Sequence, residues 1–277
     1  MTRAAVARHG LATRVGAVSL ALAVAALAQT PRVARAGEVA RCAPEPPLDG
    51  GGVHLPLTLV LLAGDTVRVG GSAAIGMPTR GSLWAGVELT PSDTIALAGG
   101  HHFGTAGTIA AIERAAREVA RCHPGSPPLI VGDIARENGG WLRPHRSHQT
   151  GIDADLGYFY RVPASYYARA TRATLDPART WTLVRSLIEG GNVDTIFIDT
   201  SVQALLREHV ATLPADQQPP EGTFRTPTQR AAIIQHAWGH ATHLHVRFRD
   251  PDAVRLGERI ERVRRRVAPP RATRRRP

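Results

Sequence analysis

Two short segments rich in histidine and aspartate, far apart in the chain, constrain the fold more than any other feature. The first is Arg146–Tyr158, RSHQTGIDADLGY, and the second is Trp238–Phe248, WGHATHLHVRF. Histidine nitrogens and carboxylate oxygens are ligands that zinc takes when three protein groups hold it and a fourth position stays open for water. A chain that builds one metal site from both segments must fold so that they meet.

The spacing within each segment indicates which side chains share a face. Side chains two residues apart in a strand point to the same side, which groups His243 with His245, and Asp153 with Asp155. Gly151 permits a sharp turn ahead of the aspartates. The second segment is therefore predicted to be a strand that presents two histidines to the first segment.

The candidate ligands outnumber the three protein positions of an open zinc site by one. They are His148, Asp155, His243 and His245. The absence of cysteine ligands favours a catalytic site over a structural one. One of His243 and His245 would remain free as a general base, and the residues alone do not decide which. Asp153 is predicted to orient a ligand rather than to bind metal.

The positive charge lies at the two ends of the 277-residue chain, whose formal net charge is +11. Residues 1–36 carry five arginines and no acid, and residues 254–277 carry ten arginines against two glutamates, so residues 37–253 have a net charge of about −2. This distribution and the predicted export argue against nucleic acid as a partner. An Arg-rich tail, residues 254–277, is predicted to be disordered, with weak attraction to anionic wall polymers or membrane surfaces.

The N-terminal 36 residues are typical of an export signal. Arginines precede an apolar run, Val15–Ala28, which is shorter than the roughly 20 residues of a membrane span, and small residues follow it. An uncleaved anchor is the alternative. Residues 37–52 are predicted to be a Pro/Gly-rich linker, and residues 53–253 the catalytic domain. Export favours a disulfide between Cys42 and Cys122.

Helices and strands are predicted in mixed order, which favours an α+β fold. Strands are expected in residues 55–97, 128–133, 192–199 and 243–248, and helices in residues 105–122, 180–188, 202–213 and 226–238. Asp133 is interpreted as a strand-end cap, Trp238 as a core residue, and His101 and His102 as ordinary histidines.

The two segments resemble the signature segments of the penicillin-insensitive murein endopeptidases, within the group of zinc peptidases that includes lysostaphin and the D-Ala-D-Ala peptidases. That group shares a histidine, six residues, an aspartate, and later a His-x-His pair. The resemblance covers roughly residues 80–250. It implies a small antiparallel sheet that carries the zinc site, flanked by helices and long loops.

The resemblance also implies a role for each residue. His148, Asp155 and His245 are the zinc ligands, His243 is the catalytic histidine, and His240 is a further active-site histidine. His145 matches a histidine that in the family can bind additional metal, although residues 175–190 show no clear Asp and His pair to complete that site.

The implied function is a periplasmic, zinc-dependent D,D-endopeptidase that hydrolyses the peptide cross-links of peptidoglycan. Two alternatives stay open from the sequence. One is a D-Ala-D-Ala carboxypeptidase or dipeptidase with the same site. The other is an inactive, metal-bound module that binds the cell wall.

Overall fold

The computed structural model describes residues 58–62, 65–69, 71–224 and 232–267. The predicted export signal and linker lie outside the described residues. Cys42 also lies outside them, so its disulfide with Cys122 stays a prediction. Within the described ranges, no helix combines the length and the apolar character that crossing a membrane requires.

Helices and strands are mixed without strict alternation, which confirms the predicted α+β class. The strands are β1 (Thr58–Leu62), β2 (Asp65–Val69), β3 (Ala73–Met77), β4 (Arg80–Trp84), β5 (Val87–Glu88), β6 (Ile95–Leu97), β7 (Phe103–Gly104), β8 (Leu129–Val131), β9 (Asp153–Gly157), β10 (Val193–Phe197), β11 (Ile234–Gln235) and β12 (His243–Phe248). The helices are α1 (Ala106–Cys122), α2 (Pro177–Glu189), α3 (Thr200–Ala211) and α4 (Pro251–Val267), with a 3-10 turn at Ala215–Gln217.

The largest sheet among the described residues has six strands in the order β11-β10-β12-β9-β8-β6. Its centre, β10-β12-β9-β8, is antiparallel. At the edges, β11 pairs parallel with β10, and β6 pairs parallel with β8. The predicted antiparallel sheet is thus the centre of a larger mixed sheet. Separate antiparallel pairs form between β1 and β2, β3 and β4, and β5 and β7.

Alternation along the two central strands separates the core from the candidate site. Ala154 and Leu156 of β9, with Leu244 and Val246 of β12, join a buried apolar cluster with residues of α1, α2 and α3. Their neighbours in sequence point to the other face of the sheet. Burial of the apolar face, at about 25 cal/mol per Å², holds these strands in register and so places every polar side chain opposite.

Three helices that cover the apolar face begin at side-chain caps. Thr105 accepts from the amide of Thr108 at the start of α1, Asp176 from that of Arg179 in α2, and Asp199 from that of Ser201 in α3. Each cap satisfies an amide that the first helical turn leaves unpaired, which stabilises a helix by about 1 kcal/mol. The predicted helices in residues 105–122, 180–188 and 202–213 are confirmed.

The helix predicted for residues 226–238 is wrong where the chain is described. Residues 225–231 lie outside the described residues, and Ile234–Gln235 is a strand, β11. Ile234 is fully buried and pairs with Ile196, whose amide donates to the carbonyl of Ile233 over 2.8 Å. Pairing at the sheet edge thus outweighs the local helical pattern, as tertiary contacts often do.

The prediction of a disordered tail from residue 254 onward is wrong up to Val267. Residues 251–267 form α4, which packs against β3. Ala253, Leu256 and Gly257 are buried, because apolar residues recur at three- and four-residue intervals among the arginines. The sequence analysis counted the charges and missed this periodicity. Residues 268–277 lie outside the described residues.

Candidate metal centre

Register between β9 and β12 brings the two predicted segments together. Asp155 pairs directly with His245, and Asp153 with Arg247. Side chains of directly opposed residues in an antiparallel pair stand on the same face about 5 Å apart. The two segments, ninety residues apart at Asp155 and His245, therefore meet side by side in the sheet.

The loop before β9 bends sharply and positions His148. Gly151 has a φ of +73°, and its carbonyl accepts from the amide of Thr105 over 2.9 Å. A Cβ at Gly151 would lie 2.9 Å from the side chain of Leu83, so the predicted turn needs glycine for space as well as for conformation. His148 itself has a φ of +65°, a strained conformation of the kind found at functional sites.

Three buried polar atoms lie at nearly equal distances from one another. Nε2 of His148 is 3.2 Å from Nδ1 of His245 and 3.4 Å from Oδ1 of Asp155. Nδ1 of His245 is 3.0 Å from the same Oδ1. Two ring nitrogens and a carboxylate oxygen thus converge on one point below the protein surface.

In His148 and His245, the ring nitrogen that faces away from the shared point donates to an oxygen that can only accept. Nδ1 of His148 donates to the carbonyl of Ile134 over 2.9 Å, and Nε2 of His245 donates to Oδ1 of Asp153 over 3.0 Å. In a neutral ring the other nitrogen then carries the lone pair, so Nε2 of His148 and Nδ1 of His245 both present a lone pair to the shared point. Two facing lone pairs beside a carboxylate are a favourable place for a cation.

Two buried carboxylates next to the shared point, Asp153 and Asp155, stay ionised despite their burial. Burial alone would raise the pKa of Asp153, but His245 and Arg247 outweigh it and lower that pKa to about 2. Burial likewise opposes ionisation of Asp155, yet His148 and His245 bring its pKa well below the usual range. For His245, burial lowers the pKa, whereas Asp153 and Asp155 raise it to about 9. Both carboxylates are therefore ionised at neutral pH and favour a cation between them. In the metal-free protein that cation is the proton of His245, and a bound metal ion would replace this proton and leave the lone pair on Nδ1.

A second pair, His145 and Asp133, adjoins this point. Nδ1 of His145 lies 3.5 Å from Oδ2 of Asp155, and its Nε2 lies 3.1 Å from Oδ2 of Asp133. The hydrogen bond to Asp133 raises the pKa of His145 against the effect of burial. Ligand atoms of His145, His148 and Asp155 lie within 4.8 Å of one another, so this group could hold a metal ion.

Asp133 is a residue of the site that the sequence reasoning missed. It was interpreted as a strand-end cap, but its carboxylate faces His145, and its Oδ1 is buried without a hydrogen-bond partner among the described residues. A buried carboxylate oxygen without a donor is costly. Its place directly after β8, at the edge that meets β9, was the available signal.

His243 and His240 lie beside the shared point. Nε2 of His243 is 3.7 Å from Oδ1 of Asp155, and its Nδ1 is 3.0 Å from Oγ1 of Thr242. Burial lowers the pKa of His243 to about 4, although Asp155 opposes this. Its ring centroid is 5.1 Å from that of His240, whose pKa is also lowered by burial. Both rings are therefore neutral at physiological pH.

Trp238 does not lie in the core, so that prediction is wrong. Its side chain is 86% exposed and its ring contacts His236. Its carbonyl accepts from Nδ1 of His240 over 3.0 Å, so the backbone rather than the indole supports the site. Of the two histidines set aside, His102 is buried and bonds the carbonyl of Ala98.

The structure brings all the predicted site residues into one cluster. They are His145, His148, Asp155, His240, His243 and His245. The strongest burial is at His148 and Asp155, each 1% exposed. His243 remains partly accessible, with 14% of its side chain exposed. The cluster thus combines two buried residues, His148 and Asp155, with a partly accessible histidine, His243, at its edge.

Comparison with known proteins agrees with this geometry. The family model described as penicillin-insensitive murein endopeptidase matches residues 74–216, which include His145, His148 and Asp155. A protein named penicillin-insensitive murein endopeptidase from Haemophilus influenzae is 26% identical over 204 residues. That match covers 66% of this chain, and the chain spans 65% of the length of that relative. The chain belongs to the penicillin-insensitive murein endopeptidase family.

Proposed function

We propose that the protein is a zinc-dependent D,D-endopeptidase that hydrolyses the peptide cross-links of peptidoglycan. The proposal rests on the triangle formed by Nε2 of His148, Oδ1 of Asp155 and Nδ1 of His245. Ligand atoms about 2.1 Å from a tetrahedral zinc lie roughly 3.4 Å apart, close to the separations of 3.0, 3.2 and 3.4 Å in this site. We take these three residues as the zinc ligands.

The group of His145, His148 and Asp155 is the alternative ligand set. It shares two members with the triangle, and its ligand atoms lie within 4.8 Å of one another. His145 also bonds Asp133 through Nε2. We therefore assign His145 to the edge of the site, where with Asp133 it would hold any additional metal.

A zinc ion held by the triangle would polarise the scissile carbonyl and activate a water molecule near neutral pH. Asp153 fixes the ring of His245 through Nε2 and is itself held by Nε of Arg247 over 2.8 Å. This chain of contacts keeps Nδ1 of His245 directed at the triangle, and such supporting carboxylates strengthen ligand binding.

His243 is assigned as the general base. Its Nδ1 faces Thr242, which leaves Nε2 directed toward the triangle, 3.7 Å from Asp155. A neutral His243 ring would accept a proton from the attacking water at Nε2 and then donate it to the leaving amine. His240, neutral and held through Nδ1, presents Nε2 as an acceptor for an amide N–H of the substrate.

Cross-links of peptidoglycan lie in the cell envelope, so the proposal places the enzyme in the periplasm. The predicted signal in residues 1–36 is consistent with that location. The ionised carboxylates of Asp153 and Asp155 suit a cation at this site rather than a phosphate group.

Digestion of purified muropeptides tests the proposal. The expected result is loss of cross-linked dimers with appearance of monomers. Release of terminal D-alanine alone would indicate a carboxypeptidase, and metal binding without any hydrolysis would indicate an inactive wall-binding module.

A further inference from the structure

A tyrosine that none of the assignments above uses, Tyr166, lies against the metal centre. It is only 9% exposed. Its hydroxyl oxygen, Oη, is buried and has no hydrogen-bond partner among the described residues. Leaving a buried hydroxyl unpaired costs free energy, so its place in the fold requires an explanation.

The end of β8 forms a bulge directly opposite Asp155. The amide of Gly132 donates to the carbonyl of Asp155 over 2.8 Å, and the amide of Asp155 donates to the carbonyl of Asp133 over 3.0 Å. Two residues of one strand thus oppose one residue of the next, which is the arrangement of a β-bulge. Val131 and Leu156 pair just before it, and both side chains lie in the apolar core. Gly132 therefore faces the metal centre beside Asp155.

Two glycines make room for the ring of Tyr166 on this face of the sheet. A Cβ at Gly132 would overlap Oη of Tyr166, and a Cβ at Gly157 would lie 3.5 Å from its Cδ2. The ring therefore crosses from β9 to β8 beside His243, whose ring centroid is 6.2 Å away. Directly opposed Cβ positions in an antiparallel pair are about 5 Å apart. Oη thus occupies the space next to Asp155 that a side chain at position 132 would fill.

The carboxylate of Asp155 has the complementary deficit. Its Oδ1 faces the rings of His148 and His245, whereas its Oδ2 is buried and has no hydrogen-bond partner among the described residues. Nδ1 of His145 lies 3.5 Å from Oδ2 without forming a hydrogen bond of normal geometry. A donor without an acceptor and an acceptor without a donor are therefore buried at neighbouring positions.

The charges nearby keep Tyr166 a donor. Burial raises its pKa, and the charge of Asp155 raises it further, ahead of the effects of Tyr167 and Asp133. The hydroxyl therefore keeps its proton at physiological pH. The ring of Tyr167 packs against that of Tyr166 at a centroid distance of 4.3 Å, but no hydrogen bond of normal geometry forms at Oη.

We infer that Tyr166 is a positioning residue of the metal centre, whose hydroxyl donates to Oδ2 of Asp155, directly or through one water molecule, when metal is bound. The inference rests on the zinc site of the proposed function. The hydrogen bond keeps Oδ1 of Asp155 directed at the ion, just as Asp153 keeps Nδ1 of His245 directed at it. Carboxylates that bind metal are commonly hydrogen-bonded in this way. Tyr166 acts through Asp155 and does not touch the reacting atoms.

Replacement of Tyr166 by phenylalanine distinguishes this role from a structural one. Y166F removes a hydroxyl that has no partner in the metal-free fold, so its midpoint of urea denaturation without metal should be no lower than that of the unaltered protein. Its zinc affinity, measured by competitive titration with a chelator, should nevertheless fall by about 10- to 100-fold. A merely structural tyrosine would not weaken zinc binding while the stability of the metal-free protein is maintained.

Y160F is the matched control. Tyr160 is also 9% exposed, but its hydroxyl donates to the carbonyl of Ala168. Y160F should therefore lower the urea midpoint and leave the zinc affinity unchanged. Normal zinc affinity of Y166F, a urea midpoint lowered as in Y160F, or equal weakening of zinc binding by both variants would overturn the inference.

Failure of the proposed hydrolysis is seen in a separate measurement. Intact cross-linked dimers after digestion with the zinc-loaded, unaltered protein would refute the endopeptidase. That result would not alter the comparison of zinc affinities, which together with the urea midpoints decides the role of Tyr166.

Discussion

Replacement of Asp153 by asparagine tests how the metal centre is supported. Asp153 is fully buried and accepts from Nε2 of His245 and Nε of Arg247. D153N keeps the shape of the side chain and removes its charge. It should destabilise the metal-free protein and weaken zinc binding, because the ring of His245 loses the carboxylate that orients it.

The lowered pKa of Asp153 indicates how much its charge contributes to the folding free energy. Burial would raise it, but His245 and Arg247 lower it from 3.8 to about 2. At about 1.4 kcal/mol per pKa unit, this corresponds to a folding free energy on the order of 2 kcal/mol at neutral pH. The raised pKa of His245 results from the same interaction with Asp153, together with Asp155. Counting it as a second contribution would therefore count the interaction between Asp153 and His245 twice.

The sign of this contribution fixes its pH dependence. A carboxyl group whose pKa is lower in the folded protein stabilises it above the pKa of the unfolded chain. The contribution of Asp153 should therefore be complete above about pH 4 and be lost as the pH falls toward 2. The stability difference between the unaltered protein and D153N should shrink over that interval.

Urea denaturation of metal-free protein and competitive zinc titration provide the assays. D153N should lose about 2 kcal/mol of unfolding free energy and bind zinc about 10- to 100-fold more weakly. D194N is the control, because Asp194 forms a comparable pair with Arg249 whose side chains are 47% and 64% exposed. Exposed pairs contribute about 0–1 kcal/mol. If D153N were no less stable than D194N and bound zinc normally, the supporting role of Asp153 would be refuted.

Three further predictions concern the base, the tail helix and the turn before β9. H243A should retain zinc while its rate of hydrolysis falls by about 100-fold or more, as measured by metal analysis and muropeptide digestion; full activity would remove the base assignment. G257A should lower the free energy of unfolding, measured by urea denaturation, by about 1–3 kcal/mol, because a Cβ would overlap the carbonyl of Ala74 in β3. E258A, at an exposed position, should change it little. Unchanged stability of G257A would contradict the packing of α4 against β3. G151A should destabilise through its φ of +73° and contact with Leu83, and normal stability of this variant in thermal melts would show that the turn adapts.

Much of the fold follows from periodicity in the sequence. The strand at residues 243–248 was predicted with its observed bounds, because its alternating apolar residues face the helices. Helix α1 was predicted within one residue of its start, since Thr105 is a strong N-cap in front of an amphipathic run. These elements depend mainly on local patterns that a single sequence displays.

Other elements depend on contacts that no local pattern displays. Strand β11 exists because Ile234 completes the sheet edge beside Ile196, and α4 is ordered because Leu256 packs with β3. Asp133 and Trp238 were misassigned for the same reason. The carboxylate of Asp133 joins the site because it accepts a hydrogen bond from Nε2 of His145, twelve residues later in the chain. The exposure of Trp238 depends on the turn around Gly239.

The site itself was predictable as a set of residues and not as a geometry. Spacing placed His243 beside His245 and Asp153 beside Asp155, and the structure shows both pairs on one face. Spacing alone did not distinguish ligand from base. The structure supports that distinction through the second nitrogen of each ring: Nε2 of His245 is held by a carboxylate, and Nδ1 of His243 by a hydroxyl.

Cleavage of cross-linked muropeptide dimers before and after removal of metal tests the central claim most directly. The chelated protein should leave the dimers intact, and one equivalent of zinc should restore their conversion to monomers. H148A, D155A and H245A should neither retain zinc nor regain cleavage when it is added. Cleavage of dimers by the metal-free protein, or by these variants at the normal rate, would contradict the account.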